Sequence, residues 1–155
     1  MPNVNEFAKQ ILGSTDLTHK LSPPTGGVTF EPKTKETAPD EPARSADLTF
    51  KRLSNAQLPA LPELVNEERR GELLHFFANH ELLATELMAL ALVKFPDAPV
   101  AFRRGLLNTL LEEQRHTKWY LARMKECGIA FGDLPVNRYF WDAVAPMETP
   151  LDYVT

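Results

Sequence analysis

Apolar residues fall into three patterns along the chain. In residues 3–12, Val4, Phe7, Ala8 and Ile11 recur at three- and four-residue steps, and Gly13 followed by Ser14 stops the run. That spacing predicts a short amphipathic helix whose apolar face needs a partner. Across residues 13–62 the periodicity disappears, and seven of the thirteen prolines gather there with Gly26-Gly27 and many Ser and Thr. Proline cannot donate into a helix and few apolar residues repeat, so this stretch is predicted to be an extended Pro-rich arm with no helix longer than two turns. Its scattered Leu17, Leu21, Val28, Phe30, Leu48, Phe50 and Leu53 fit a strap lying on a neighbouring surface as well as a free chain.

Residues 63–94 are dense in Leu, Ala, Glu and Phe, with only Gly71 against a helix, and predict a first long helix. Phe95-Pro96-Asp97-Ala98-Pro99 breaks it, because each proline pushes its predecessor out of the helical region; Asp97 is expected to cap the next helix. A second long helix is predicted over residues 99–127, stopped by Gly128 and with Lys125 at the favourable end of its dipole. So short a connection between two long helices implies an antiparallel hairpin. Residues 136–144 read as one more short helix, and Pro146 and Pro150 mark an extended tail. The expected fold class is all-α, in three stretches: residues 1–62 (short helix and arm), 63–145 (hairpin and short helix) and 146–155 (tail).

The second long helix carries the candidate chemistry. At the helical period, the face of Glu113 and His116 also holds Phe102, Leu106, Thr109, Leu110, Tyr120, Met124 and Cys127, whereas Glu112, Arg104, Arg115, Lys118 and Trp119 point elsewhere. A carboxylate within an apolar stripe must be paired, hydrogen-bonded, protonated or bound to a metal. Glu-x-x-His is the inward-facing pair of the carboxylate-bridged metal sites of helical bundles. Measured from the hairpin loop at the helical rise, Glu113 lies at roughly 21 Å and Glu81 of the first helix at roughly 20 Å, while Glu86 falls roughly 9 Å short. Leu74, Phe77, Met88 and Leu92 flank Glu81 on its own face. Glu81, Glu113 and His116 are therefore the candidate metal ligands. A purely structural network of the same three residues is the competing reading. His80 has the right depth but the wrong direction, and suits a supporting role. His75, Asn79 and Glu86 share a different face and read as a polar seam toward solvent rather than as outer partners of a metal site.

Composition narrows the function classes. A chain of 155 residues, 43% hydrophobic and 25% charged, supplies one ordinary core. The net charge of −4 lacks the single-sign excess of a general nucleic-acid or acidic-membrane binder. Arg103-Arg104, Arg115, Lys118, Arg123 and Lys125 are interleaved with Glu112 and Glu126, the pattern of a solvated helix face rather than of an RNA surface. The single cysteine excludes an intramolecular disulfide, and Cys127 reads as a small buried hydrophobe. Tyr139-Phe140-Trp141 is expected to plug the underside of the hairpin. No basic region followed by an apolar one opens the chain, and its longest apolar run, residues 87–93, is far short of the roughly 20 residues of a membrane span. No transmembrane helix is expected, and the expected compartment is the cytoplasm.

Four stretches, His80-Glu81-Leu82-Leu83-Ala84-Thr85-Glu86-Leu87, Lys94-Phe95-Pro96-Asp97-Ala98-Pro99, Glu113-Gln114-Arg115-His116 and Gly128-Ile129-Ala130-Phe131-Gly132-Asp133, resemble the uncharacterised bacterial ferritin-like family called domain of unknown function 455. The resemblance covers residues 73–141 well and the arm loosely. It implies a ferritin-like antiparallel hairpin, half of a four-helix bundle, in which one helix gives a glutamate and the next a Glu-x-x-His. Glu81, Glu113 and His116 are then the first ligand set of a dinuclear iron or manganese centre. Members of that family are longer and repeat the set on a second hairpin, whereas this chain is expected to carry a single Glu-x-x-His and looks truncated. A homodimer or a missing C-terminal half would restore the remaining ligands. The expected function is a carboxylate-bridged di-metal redox protein or oxygenase of unknown substrate, enzymatic only if a second half-site is supplied. The alternative is a non-enzymatic helical interaction module, or a truncated product without a metal centre. Metal storage would need a cage to which nothing in the chain points.

Overall fold

The computed structural model describes residues 1–51 and 58–154; Leu53 of the arm and the terminal Thr155 lie outside the described residues. The described chain is all-α, with six helices: α1 (Val4–Gly13), α2 (Leu17–Lys20), α3 (Glu67–Lys94), α4 (Val100–Glu126), α5 (Tyr139–Val144) and α6 (Pro150–Val154). Among the described residues no strand forms, and two isolated parallel bridges, Asn3 to Thr29 and Phe50 to Val136, tie the first half of the chain to itself and to the segment after α4.

The local chemistry accounts for the boundaries. Asn3 starts α1 by accepting the Asn5 amide, and Asp16 does the same for α2 with Thr18 and His19. The first long helix begins at Glu67, later than its composition suggests, because the Asn66 carboxamide caps the Glu68 and Arg69 amides and residues Leu61–Val65 wind as a 3-10 helix instead. Asp97 does not cap α4. Pro99 occupies that position without a side-chain bond, and its carbonyl accepts the first helical hydrogen bond from Arg103. At the far end Gly128 takes φ +81°, which lets the Ile129 amide reach back to the Met124 carbonyl at 3.2 Å. The tail is not extended either. Pro150 opens α6, its fixed φ suiting a first helical position, and Asp152 accepts the Glu148 and Thr149 amides.

Helices α3 and α4 pack antiparallel along their length. Gly71 near the start of α3 approaches Cys127 and Ile129 beyond the end of α4, and Phe95 meets Phe102 at the loop. Against this pair, α1 buries Val4, Phe7, Ala8, Ile11 and Leu12 in one cluster with Leu83, Leu87 and Leu90 of α3. Each of the Val, Phe, Ile and Leu side chains contributes about 1.5–3 kcal/mol through removal from water, and the Ala8 methyl less. The Asn5 side chain adds a bond to the Leu92 carbonyl at 3.1 Å. Of the expected aromatic plug only Trp141 is buried, bonded through Nε1 to the Asp40 carbonyl; Phe140 stacks on His80, and Tyr139 lies in solvent.

Four polar expectations are overturned, by the segment between α1 and α3 and by the segment after α4. His75, Asn79 and Glu86 do not face solvent but are buried. Glu86 sits between Lys20 and Arg44, Asn79 bridges Arg44 and the Asn137 carbonyl, and His75 Nε2 accepts the Gly132 and Leu134 amides. Arg103 is likewise buried rather than on a solvated face, donating to the carbonyls of Ala98 and Phe30. Each buried group is satisfied by a partner from a remote part of the chain. By length and composition alone α3 could cross a bilayer, yet 67% of its most apolar stretch is buried within the protein, as in a core helix.

Candidate metal centre

Glu81 projects from the middle of α3, and Glu113 and His116 from successive turns in the middle of α4. The antiparallel packing brings the three together, with one donor atom from each within 4.8 Å of the others. His116 Nδ1 lies 3.1 Å from Glu113 Oε2 and 3.8 Å from Glu81 Oε2. Thr117 hydroxyl donates to the Glu113 carbonyl at 2.7 Å, tying that turn of α4 to itself. Glu86 takes no part, since both of its oxygens are held by Lys20 and Arg44. His80 faces away, against Phe140.

The three side chains are half-buried, not central to the apolar stripe. Along α4 the buried line runs through Arg103, Leu107, Leu110, Gln114 and Thr117, one step round from Glu113, and Thr109 is exposed. The cause is the partner helix and the arm: Gln114 is drawn inward because its amide donates to the carbonyls of Lys20 and Ser22. Glu113 and His116 are left on the margin, with side chains 18% and 39% exposed beside Glu81 at 21%. That position keeps the cluster reachable from solvent.

Crowding beside a second carboxylate shifts the protonation of Glu81. Burial, then hydrogen bonding to Glu113 and the charge of Glu113, push the Glu81 carboxyl up to about 7, against the opposing pull of His116. A proton thus occupies ground between two carboxylates that a divalent cation would neutralise better. Two oxygens and an imidazole nitrogen make a donor set that fits iron or manganese. Beside the cluster opens a hollow of about 450 Å³ lined by Leu74, Trp119, Tyr120 and Arg123.

The same spacing recurs at Glu72 and His75 on α3, contrary to the expectation of a single Glu-x-x-His. It brings no second site. Glu72 pairs with Arg69 at 2.9 Å, and His75 turns its Nε2 to the loop after α4. The residues that sequence reasoning missed are Lys20 and Arg44, which hold Glu86. The available signal was a carboxylate in a run of Leu and Ala on α3 opposite an arm containing basic residues.

No curated protein and no solved structure matches the chain. Residues 5–154 match the family described as Protein of unknown function (DUF455), nearly the whole chain, and the protein belongs to that family.

Proposed function

We propose that the chain is a ferritin-like half-bundle in which Glu81, Glu113 and His116 hold iron or manganese as part of a carboxylate-bridged redox centre acting on an unidentified substrate. The observation that carries this reading is the convergence of two carboxylates and one imidazole from facing helices within 4.8 Å. Ions bound by such a set supply redox chemistry toward dioxygen. The residues of the chain hold and orient them: Glu81 and Glu113 as carboxylate donors, His116 through Nδ1, the nitrogen that faces both. Metal uptake displaces the proton from Glu81, so affinity strengthens as pH rises through about 7.

A second reading, a non-enzymatic interaction module, is favoured by the exposure of Trp119 (66%) and Phe77 (39%) close to the cluster. There the 3.1 Å Glu113–His116 bond is only structural. Because that pair is partly exposed, its loss would cost no more than about 1 kcal/mol, so melting alone separates the readings poorly. Metal content decides. After dialysis against Fe(II) or Mn(II), elemental analysis should find metal on the unsubstituted chain and none on Glu113→Ala or His116→Ala, with helix content by circular dichroism unchanged. A metal-free parent chain would sink the redox reading.

A further inference from the structure

His75 is a buried titratable group outside the metal cluster, and it lines a hollow of about 270 Å³ between α3 and the segment after α4. Its Nε2 accepts the Gly132 amide at 3.1 Å and the Leu134 amide at 3.4 Å. An imidazole that accepts through Nε2 carries its proton on Nδ1, and burial favours that neutral ring by lowering its pKa against the charge of Asp133. The residue is only 2% exposed, yet among the described residues nothing accepts from Nδ1. Nor is that atom sealed inside the protein, since the Tyr153 hydroxyl is the one side-chain group among the described residues that is fully enclosed without a partner. Nδ1–H therefore opens on the hollow as an unspent donor. A metal does not suit it, because ligation through Nδ1 would require the proton to leave a ring whose other nitrogen already accepts two bonds.

The surroundings select what accepts from it. Phe76, Leu134 and Val136 supply apolar walls. Arg44 holds the Asn79 carbonyl oxygen at 2.8 Å, the Asn79 amide donates to the Asn137 carbonyl at 3.1 Å, and the Lys51 amide donates to the Val136 carbonyl at 3.0 Å, so the hollow is built before a guest arrives. Among the described residues the one charged side chain in the lining is Glu72, a turn before His75 on the same face of α3. Arg69 donates to Glu72 Oε2 at 2.9 Å, which leaves Oε1 to accept. A neutral donor and an acceptor, side by side between apolar walls, match a group that offers an acceptor and a donor together. A carboxamide does so through its oxygen and its N–H. A carboxylate has no hydrogen for Glu72 and is repelled by it, and a ketone satisfies His75 alone. The volume lies just under the roughly 300–1,000 Å³ of ligand sites, which suits a single ring. We infer that the hollow binds a small aromatic carboxamide, its oxygen accepting from His75 Nδ1, its N–H donating to Glu72 Oε1 and its ring against Phe76. This site is separate from Glu81, Glu113 and His116 and needs no metal.

Titration of the full chain with benzamide in chelator, followed by NMR through the imidazole resonances, tests it. Expected are saturable binding at about millimolar concentration and a shift at His75 Nδ1 with none at His116. Benzoate and acetophenone, nearly isosteric with benzamide, should bind at least about tenfold more weakly. Glu72 is partly exposed, its side chain at 23%, so Glu72→Leu should keep the helix content unchanged. That variant should weaken benzamide about tenfold and leave acetophenone no weaker than on the parent chain. A His75 Nδ1 resonance that does not move up to the solubility limit of benzamide overturns the site. Equal affinity for the three probes reduces the hollow to an apolar cleft, and benzoate binding tighter than benzamide makes it an anion site; either result overturns the carboxamide. Undiminished benzamide binding by Glu72→Leu removes the acceptor on which that class depends and overturns it as well.

Discussion

Two glutamates on α3 show how environment sets the role of a residue. Glu86 is fully buried with two cations against it, whereas Glu81 is half-buried with a carboxylate and an imidazole. Glu81 is the group whose protonation should be visible in stability. Its folded value, about 7, lies above the ordinary 4.5, so the metal-free protein is favoured while Glu81 is protonated and loses that stability as pH rises from 4.5 through about 7. Glu81→Gln, which cannot ionise, removes the loss. In chelator its melting temperature should match the parent chain below pH 4.5 and exceed it increasingly up to about pH 7. A difference independent of pH would mean that Glu81 and Glu113 do not meet in solution. The meeting itself was half legible: the helical rise placed the two at equal depth, but their position on the margin came from Gln114 turning inward to the arm.

At the scale of elements, the long helices arise from local rules, with an Asn66 cap, a proline break and a glycine stop at Gly128. The exception is Gly71, which composition marks as a weak point of α3 and packing explains. A Cβ at this position would stand 2.6 Å from Ile129 Cγ1 and 3.0 Å from Cys127 Cβ, so glycine admits the reversal after α4 against the start of α3. In an open helix Gly→Ala gains about 1 kcal/mol. Here Gly71→Ala should instead destabilise by about 1–3 kcal/mol through overpacking, as read from urea denaturation. A stabilised variant would show that the two helix ends are further apart. The one-turn α6 had no comparable signal, since Pro150 reads equally as a breaker or as a first helical residue, and only Asp152 bonding to the preceding amides selects the second.

For the whole molecule, the arm is fastened through the buried group of Lys20, Glu86 and Arg44, which couples α2 and the chain around Arg44 to the core of α3. Desolvation pulls the Lys20 ammonium below its usual range, a sign of what burial costs when its partner only partly compensates. Glu86→Ala leaves two buried cations unpaired and should cost roughly 3–5 kcal/mol, with faster proteolysis of the arm than of the hairpin. Loss of stability without arm release would place the fastening elsewhere, in α1. The sequence by itself determined the helical class, the two long helices and their turn, and the equal depth of Glu81 and Glu113, because helix period, proline geometry and rise per residue act over a few neighbours. Which polar residues are buried was decided only by tertiary structure. Glu86, His75, Asn79 and Arg103 find their partners at separations along the chain that no local periodicity encodes, and a buried charge is tolerable only where a distant segment brings its complement.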